Sequence, residues 1–551
     1  MDLAFYIVAL VLYFGAMIGI GLYAFKKTTG GEDYMLGGRQ LHPFVAALSA
    51  GASDMSGWLL MGLPGALYMG GLVEAWMAIG LIVGAGLNWI FVAPRLRQYT
   101  QIAGNAITVP SFFGNRLHDS TNILRIAAGV IILVFFTFYV SSGMVAGGVF
   151  FQSMFGGPYL TGMLLVGGVT ILYTLFGGFL GASYTDVVQG MIMLVSLLVV
   201  PITAMFVVGG PAAMFESVRE VNADFGSMTS GGTFIGIVSA AAWGLGYFGQ
   251  PHIIVRFMAL RSSRDAKYGT VVGMTWMILC VAGAVFTALA GLAYFQQNQD
   301  AVLTDATNGE SVFLDLSQLL FHPLIAGVLL AAVLAAIMST ISSQLIVTSS
   351  ALVEDLIGGI FKPLAADLGR RGRLSGGHAG RLVVGVVNPD GEPSSGEAMK
   401  LWGGRIGVLA VSLIAVLLAL NPESSVLGLV AFAWAGFGAA FGPIVLLSLF
   451  WRRLTMAGAA VGMVSGAVVS FVWGQFEPDV AWGLFGDQHL YEIIPGFLIC
   501  LVLAVVVSLV TTLPPAKAMR EFDDMLESLE SGEARDRSAE KAVVGGASAA
   551  D

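Results

Sequence analysis

The chain has 551 residues, of which 56% are hydrophobic and only 11% charged, with a formal net charge of −9. Soluble domains carry about 25% charged residues, so this proportion, with a mean hydropathy of +0.83, excludes an ordinary cytosolic enzyme. The negative balance indicates no nucleic-acid partner, because nine acids against five bases after Pro515 supply much of it.

Runs of about 20 apolar residues mark membrane-spanning helices. Thirteen are predicted: residues 3–25, 43–69, 72–92, 123–150, 160–180, 185–209, 232–250, 270–296, 324–352, 406–421, 425–451, 455–477 and 493–513. The first run follows Asp2 and precedes Lys26 and Lys27, with no small-residue cleavage site, so it reads as a retained span with its N-terminus outside. An odd number of crossings then puts the C-terminus in the cytoplasm. With that orientation only Arg219 among the 26 Lys and Arg residues lies outside, as the positive-inside rule requires. Residues 361–404 and 514–551 are expected to be flexible, solvated cytoplasmic segments. Cys280 and Cys500 fall inside apolar runs and read as core thiols.

Two spans break their own pattern. Span 2 carries Ser49, Gly51, Ser53, Asp54, Ser56, Gly57 and Trp58 in succession, which sets a carboxylate in the middle of an apolar helix. Glycines 51 and 57 weaken that helix, and the serines can satisfy backbone groups freed by unwinding. Span 7 contains Trp243-Gly-Leu-Gly-Tyr-Phe-Gly-Gln-Pro251. Paired interruptions in two halves of a chain point to the binding site of an inverted-repeat transporter. Because the breaks lie five helices apart, the units are spans 2–6 and 7–11. The expected organisation is therefore an extra helix in 1–27, five-helix repeats in 28–209 and 210–453, two further helices in 454–513, and a charged tail in 514–551.

An intramembrane acid is costly and marks function by default, and Asp54 is the one acid expected near mid-membrane. Asp186 is expected at the cytoplasmic start of span 6, either as a helix N-terminal acid or on an ion path. Span 9 carries Met338-Ser339-Thr340-Ile341-Ser342-Ser343. Facing an unwound span 2, the Ser339 and Thr340 hydroxyls would join free carbonyls in a small oxygen cage suited to Na⁺.

At these residues the chain resembles the sodium/solute symporter family, in particular its proline-carrying branch. The resemblance is carried by Leu48 to Ala66, Trp243 to His252, 335–344 and 433–443, and runs from about residue 5 to 515. It implies an all-α polytopic protein of the bacterial inner membrane with a leucine-transporter-like 5+5 inverted-repeat core. It implies a sodium site formed by the carbonyls of Ala52, Met55 and Ala336 with the hydroxyls of Ser339 and Thr340, supported by Asp54 and, towards the cytoplasm, Asp186. Substrate contacts are carried onto Ser56, Trp58, Gly62, Tyr139, Trp243, Tyr247 and Pro251, and Arg39, Ser49 and Gly57 onto the inner gate and coupling. The implied activity is uptake of L-proline together with Na⁺, with no cofactor and no obligatory protein partner; the alternative is a symporter of the same family for another solute. A haem- or quinone-handling enzyme would need facing mid-membrane histidines, whereas all six are expected at helix ends or in loops.

Overall fold

The computed structural model describes residues 2–27, 31–357, 393–420 and 426–531. Most of them lie in helices, as they must where a bilayer offers backbone groups no water. The helices that position the site are α1 (Asp2–Phe25), α2 (Pro43–Asp54), α3 (Leu63–Gly70), α4 (Ala75–Leu87), α5 (Ala93–Ile102), α6 (Ile123–Phe155), α7 (Tyr159–Val207), α8 (Phe234–Ala241), α9 (Pro251–Met258), α10 (Asp265–Gln297) and α11 (Pro323–Ser350). They are followed by α12 (Pro393–Leu418), α13 (Val426–Phe450), α14 (Met456–Phe476), α15 (Ile493–Val510) and α16 (Ala516–Ser531). Their starts follow local chemistry. Proline opens α2, α9 and α11 at positions that need no backbone donor, and Thr233 and Thr455 cap α8 and α14 with their hydroxyls.

Among the described residues nine helices are long and apolar enough to cross a membrane, or ten if the bent pair α2–α3 is one crossing. Phe234–Gly249 and Gly403–Leu418 are shorter apolar helices. Helix α7 has 49 residues, about 74 Å at 1.5 Å per residue, more than twice the hydrocarbon thickness. It is broken at Gly178, whose φ of 56° and ψ of −154° are not helical. Sequence reasoning places a loop at residues 181–184, but the break comes earlier, and the chain is helical again through that stretch.

Helix α11 forms the centre, with 83% of its most apolar window buried, whereas only 22% of that of α1 is covered. The apolar side chains left bare on α1, such as Val11 and Leu12, form the surface for lipid. Helix α2 packs on α7, α9, α10 and α11 together, which puts its polar run inside the bundle. Helix α4 meets the residues after α8 so closely that a Cβ added at Gly84 would stand 2.2 Å from the Gly244 carbonyl.

Two cytoplasmic expectations need correction. The tail does not begin as a solvated segment: α16 packs on α5 and buries Ala518, Phe522 and Met525. Phe522 and Tyr99 lie edge-on at 6.2 Å, and the Arg116 guanidinium sits 5.4 Å from the Phe522 ring. His118 and Glu521 at 2.9 Å, and Arg452 and Asp523 at 2.6 Å, fix its polar side. Periodicity explains the miss, since apolar residues at 518, 522 and 525 are spaced for one helix face within a charged stretch. The expected loop also ends earlier than 404, because α12 starts at Pro393; residues 361–392 and 532–551 lie outside the described residues.

Candidate functional site

Helix α2 stops where its sequence stops favouring a helix. Met55 leaves helical geometry (φ −79°, ψ 81°), and after Ser56 and Gly57 the chain resumes in a π turn, Trp58–Gly62, that leads into α3 at 62° to α2. The freed backbone is partly satisfied locally: the Asp54 carbonyl accepts from the Ser56 amide at 2.9 Å and from the Trp58 indole at 3.0 Å. Opposite the break stands the polar turn of α11. The Ser339 hydroxyl donates to the Ala52 carbonyl at 2.6 Å, with the Ala336 carbonyl 3.0 Å away. Thr340 is 2% exposed, and its hydroxyl oxygen has no hydrogen-bond partner among the protein's groups. The Ser339 hydroxyl thus contacts two of the other four expected sodium ligands, and a fourth, Thr340, next in the chain, offers an unclaimed buried oxygen. Met55, the fifth, is the buried residue at which the helix ends.

Asp54, 1% exposed, accepts a short hydrogen bond from the Tyr247 hydroxyl, which ties the break of α2 to that between α8 and α9. This second break is a 3₁₀ stretch, Ala242–Gly249, ending at extended Gln250 before Pro251. Its rings form a buried aromatic wall. Trp243 stacks on Trp434 at 6.3 Å and on Tyr491 at 5.4 Å, and Tyr247 meets Trp434 edge-on at 5.1 Å. The Trp434 indole donates to the Trp243 carbonyl at 2.8 Å, so this ring also holds the 3₁₀ backbone. Tyr139 lies edge-on to His252 at 5.8 Å, one residue past Pro251. Gly62 lies one turn beyond Trp58 against Leu427, and a Cβ on Gly57 would sit 3.2 Å from Ala146.

Asp186 is not at a helix start. It lies eight residues beyond the Gly178 break, fully buried, so Asp54 is not the one acid inside the bundle. Its Oδ2 accepts from Ser49 at 2.6 Å and from Arg256 at 3.3 Å. Arg256 also donates to Ser49 at 3.1 Å and to Ser343 at 2.5 Å, so one guanidinium joins α2, α7, α9 and α11. Hydropathy alone sets Asp186 at a membrane edge, which hides this pair; a basic residue seven places past a broken stretch is the signal for it. Arg39 sits apart from the other candidates, where Gly37, Gly38 and Arg39 all have positive φ. It donates to the Met258 carbonyl at 2.8 Å, to Thr100 at 3.1 Å and to the Ala106 carbonyl.

His252 is at a helix end, as expected, being the second residue of α9, but it is buried inside the bundle with the Phe136 and Tyr139 rings edge-on to it. No group of three or more His, Cys, Asp or Glu able to hold a metal occurs among the described residues. The site presents neutral oxygens, one carboxylate and aromatic faces, which is equipment for binding an alkali cation and a small amphipathic solute.

Comparison with known proteins agrees with this chemistry. The model of the Sodium:solute symporter family matches residues 34–374 and 390–466. The chain belongs to the sodium:solute symporter family. Among this family's relatives, the high-affinity proline transporter PutP of Bacillus subtilis (strain 168) is 50% identical over 513 residues, covering 93% of this chain and all of its own. The sodium/proline symporter of Escherichia coli (strain K12) is 46% identical over 516 residues, 94% of this chain and 95% of its own. The structure of a Na⁺-coupled sialic acid symporter in a substrate-bound outward-open state superposes with a TM-score of 0.72 at 17% identity, covering 93% of this chain and 99% of that one. At that identity the likeness concerns the fold.

Proposed function

We propose that this protein takes up L-proline by symport with Na⁺ across the bacterial inner membrane. The observation that carries the reading is the bond from Ser339 on α11 to the Ala52 carbonyl at the α2 break, with the unclaimed Thr340 oxygen beside it. The two curated relatives, both near full length, are named for proline, and one also for sodium.

In this reading Na⁺ from outside binds between the Ala52, Met55 and Ala336 carbonyls and the Ser339 and Thr340 hydroxyls, with the Asp54 charge nearby. Binding ties α2 to α11 and completes the proline pocket. The proline carboxylate meets amides freed at the α2 break, near Ser56, Trp58 and Gly62. The ring and secondary ammonium meet the faces of Tyr139, Trp243 and Tyr247, near Pro251. Closure outside and opening inside then release both solutes, with Asp186 on the ion's way out and Arg39, Ser49 and Gly57 serving the inner gate and coupling. One charge moving inward across 100 mV yields about 2.3 kcal/mol, nearly two decades of proline gradient.

The topology belongs to the same proposal. Counting the bent pair as one crossing, α7 as two and the shorter apolar helices as crossings supports thirteen spans with the N-terminus outside and the C-terminus inside. The breaks five crossings apart support the inverted 5+5 core. Labelled-proline uptake into proteoliposomes tests the function: accumulation is expected with an inward sodium gradient and not with choline in its place. Equal accumulation in choline rejects it, and stronger competition by a sugar or by pantothenate than by unlabelled proline would favour the sibling-symporter alternative.

A further inference from the structure

Against α2 a small space of about 20 Å³ lies inside the bundle, with no residue of α11 in its wall. Its polar side chains are Asp54, Asn88, Tyr247 and the Trp89 indole; Ala85, Met55, Met274 and Met277 are among the apolar residues around it. Asn88 is fully buried and begins a π turn, Asn88–Val92, between α4 and α5, a local irregularity often found at functional sites. Its Nδ2 donates to the Tyr247 carbonyl at 2.9 Å, which fixes which amide atom remains: Oδ1. Neither this oxygen nor Oδ1 of Asp54 has a hydrogen-bond partner among the protein's groups.

We infer that this space is a structural water site and that Asn88 is a positioning residue acting through that water on Asp54. Both unclaimed oxygens are acceptors, so the occupant must donate hydrogens or carry positive charge. The volume admits one water. Apart from main-chain groups such as that of Met55, the remaining wall is thioether, methyl and aromatic surface, which supplies no side-chain oxygens to complete a cation's shell. The water would hold one oxygen of Asp54 while Tyr247 holds the other. Asn88, through its bond to the Tyr247 carbonyl, sets the 3₁₀ stretch at the same time. The two breaks would thus be linked through α4 as well as through Tyr247 and Asp54.

This inference rests on Asp54 supporting the sodium site, and the test separates the two. A structure of the intact protein in lipid, resolved well enough to show waters, should show density within hydrogen-bonding distance of both oxygens. A dry space, or a density that appears only with added sodium, overturns the inference. In uptake assays Ala85→Val, which fills the space from its apolar wall, should raise the sodium concentration for half-maximal uptake roughly tenfold, the effect of one unpaired buried acceptor. The proline KM at saturating sodium should change less. Ala85→Ser, whose hydroxyl can replace the water's donation, should stay within about twofold of wild type on the same scale. Equal sodium responses for Ala85→Val and wild type overturn the water's role, while a shift in Thr340→Val in the same assay leaves the sodium site standing. Should Ala85→Val fail to reach the membrane, a sodium requirement for Ala85→Ser about tenfold above wild type also overturns it.

Discussion

The two breaks, after α2 and before α9, interrupt their helices for different reasons. The α2 break is chemical: Ser53, Asp54 and Ser56 surround a backbone whose Ala52 carbonyl meets Ser339 of α11. The break before α9 is geometric. Its glycines let the 3₁₀ stretch lie against α4 at distances no side chain tolerates, a Cβ at Gly244 standing 2.2 Å from the Gly80 carbonyl, while Trp243 stacks on Trp434 and Tyr491. One break therefore holds charge and the other holds shape, and Tyr247 joins them through Asp54. Substitutions in the first should alter ion dependence, and those in the second stability and solute fit.

The largest effect is expected from Asp54→Asn. A buried charge deprived of its partner costs about 3–5 kcal/mol, so uptake should fall roughly 100-fold or more with normal amounts of protein in the membrane. Vigorous uptake by that variant would make the acid structural. Tyr247→Phe removes one charged hydrogen bond, about 1.5–3 kcal/mol, or roughly tenfold to 100-fold in sodium affinity. An unchanged sodium response in that variant would uncouple the two breaks. Gly244→Ala should act in the opposite way. Overpacking costs about 1–3 kcal/mol, so its thermal stability in detergent should drop while the surviving protein keeps a near-normal sodium requirement. A large sodium effect there would erase the distinction.

The smallest expected effect lies outside the bilayer, in the segment that brings Tyr491 onto Trp243. His489 bonds Asp479 at 3.0 Å and lies 3.6 Å from Glu492, and Glu492 followed by Asp479 holds its pKa above the ordinary value. Burial opposes the charge on Asp479, yet the Leu490 amide and His489 keep its carboxyl below the usual carboxylate range. A raised histidine contributes stability below about pH 6.5 and loses it as pH rises through the folded value; a lowered aspartate contributes above about pH 3.9 and loses it as pH falls. Residues 477–492 should therefore be best protected between those limits, and hydrogen exchange corrected for intrinsic rates should show loosening towards pH 8. Flat protection across that range would mean the ring stack needs no such clamp.

Most of this site was legible because intramembrane polarity is expensive and therefore conspicuous. Asp54, Ser339, Thr340 and the Gly-Pro pattern at 244–251 stand out against apolar surroundings. Trp434 was hidden because an aromatic in a long apolar run looks like ordinary filling. Asn88 follows a wholly apolar stretch of α4 near its predicted end, and nothing local connects it to a residue 159 positions away. Arg256 and Asp186 were visible as charges but not as a pair, since hydropathy locates a membrane edge only to within a turn or two, and a pair 70 residues apart is tertiary information. The packed tail helix was masked by its charge.

In the proposed mechanism the α2 break and the hydroxyls of α11 hold one ion between them. This is tested most directly by initial rates of labelled-proline uptake against sodium concentration in proteoliposomes containing wild type or Thr340→Val. Losing one oxygen ligand while keeping the side chain's shape should raise half-saturating sodium about tenfold, with uptake recovering at high sodium. Superimposable sodium curves for the two proteins would contradict the account.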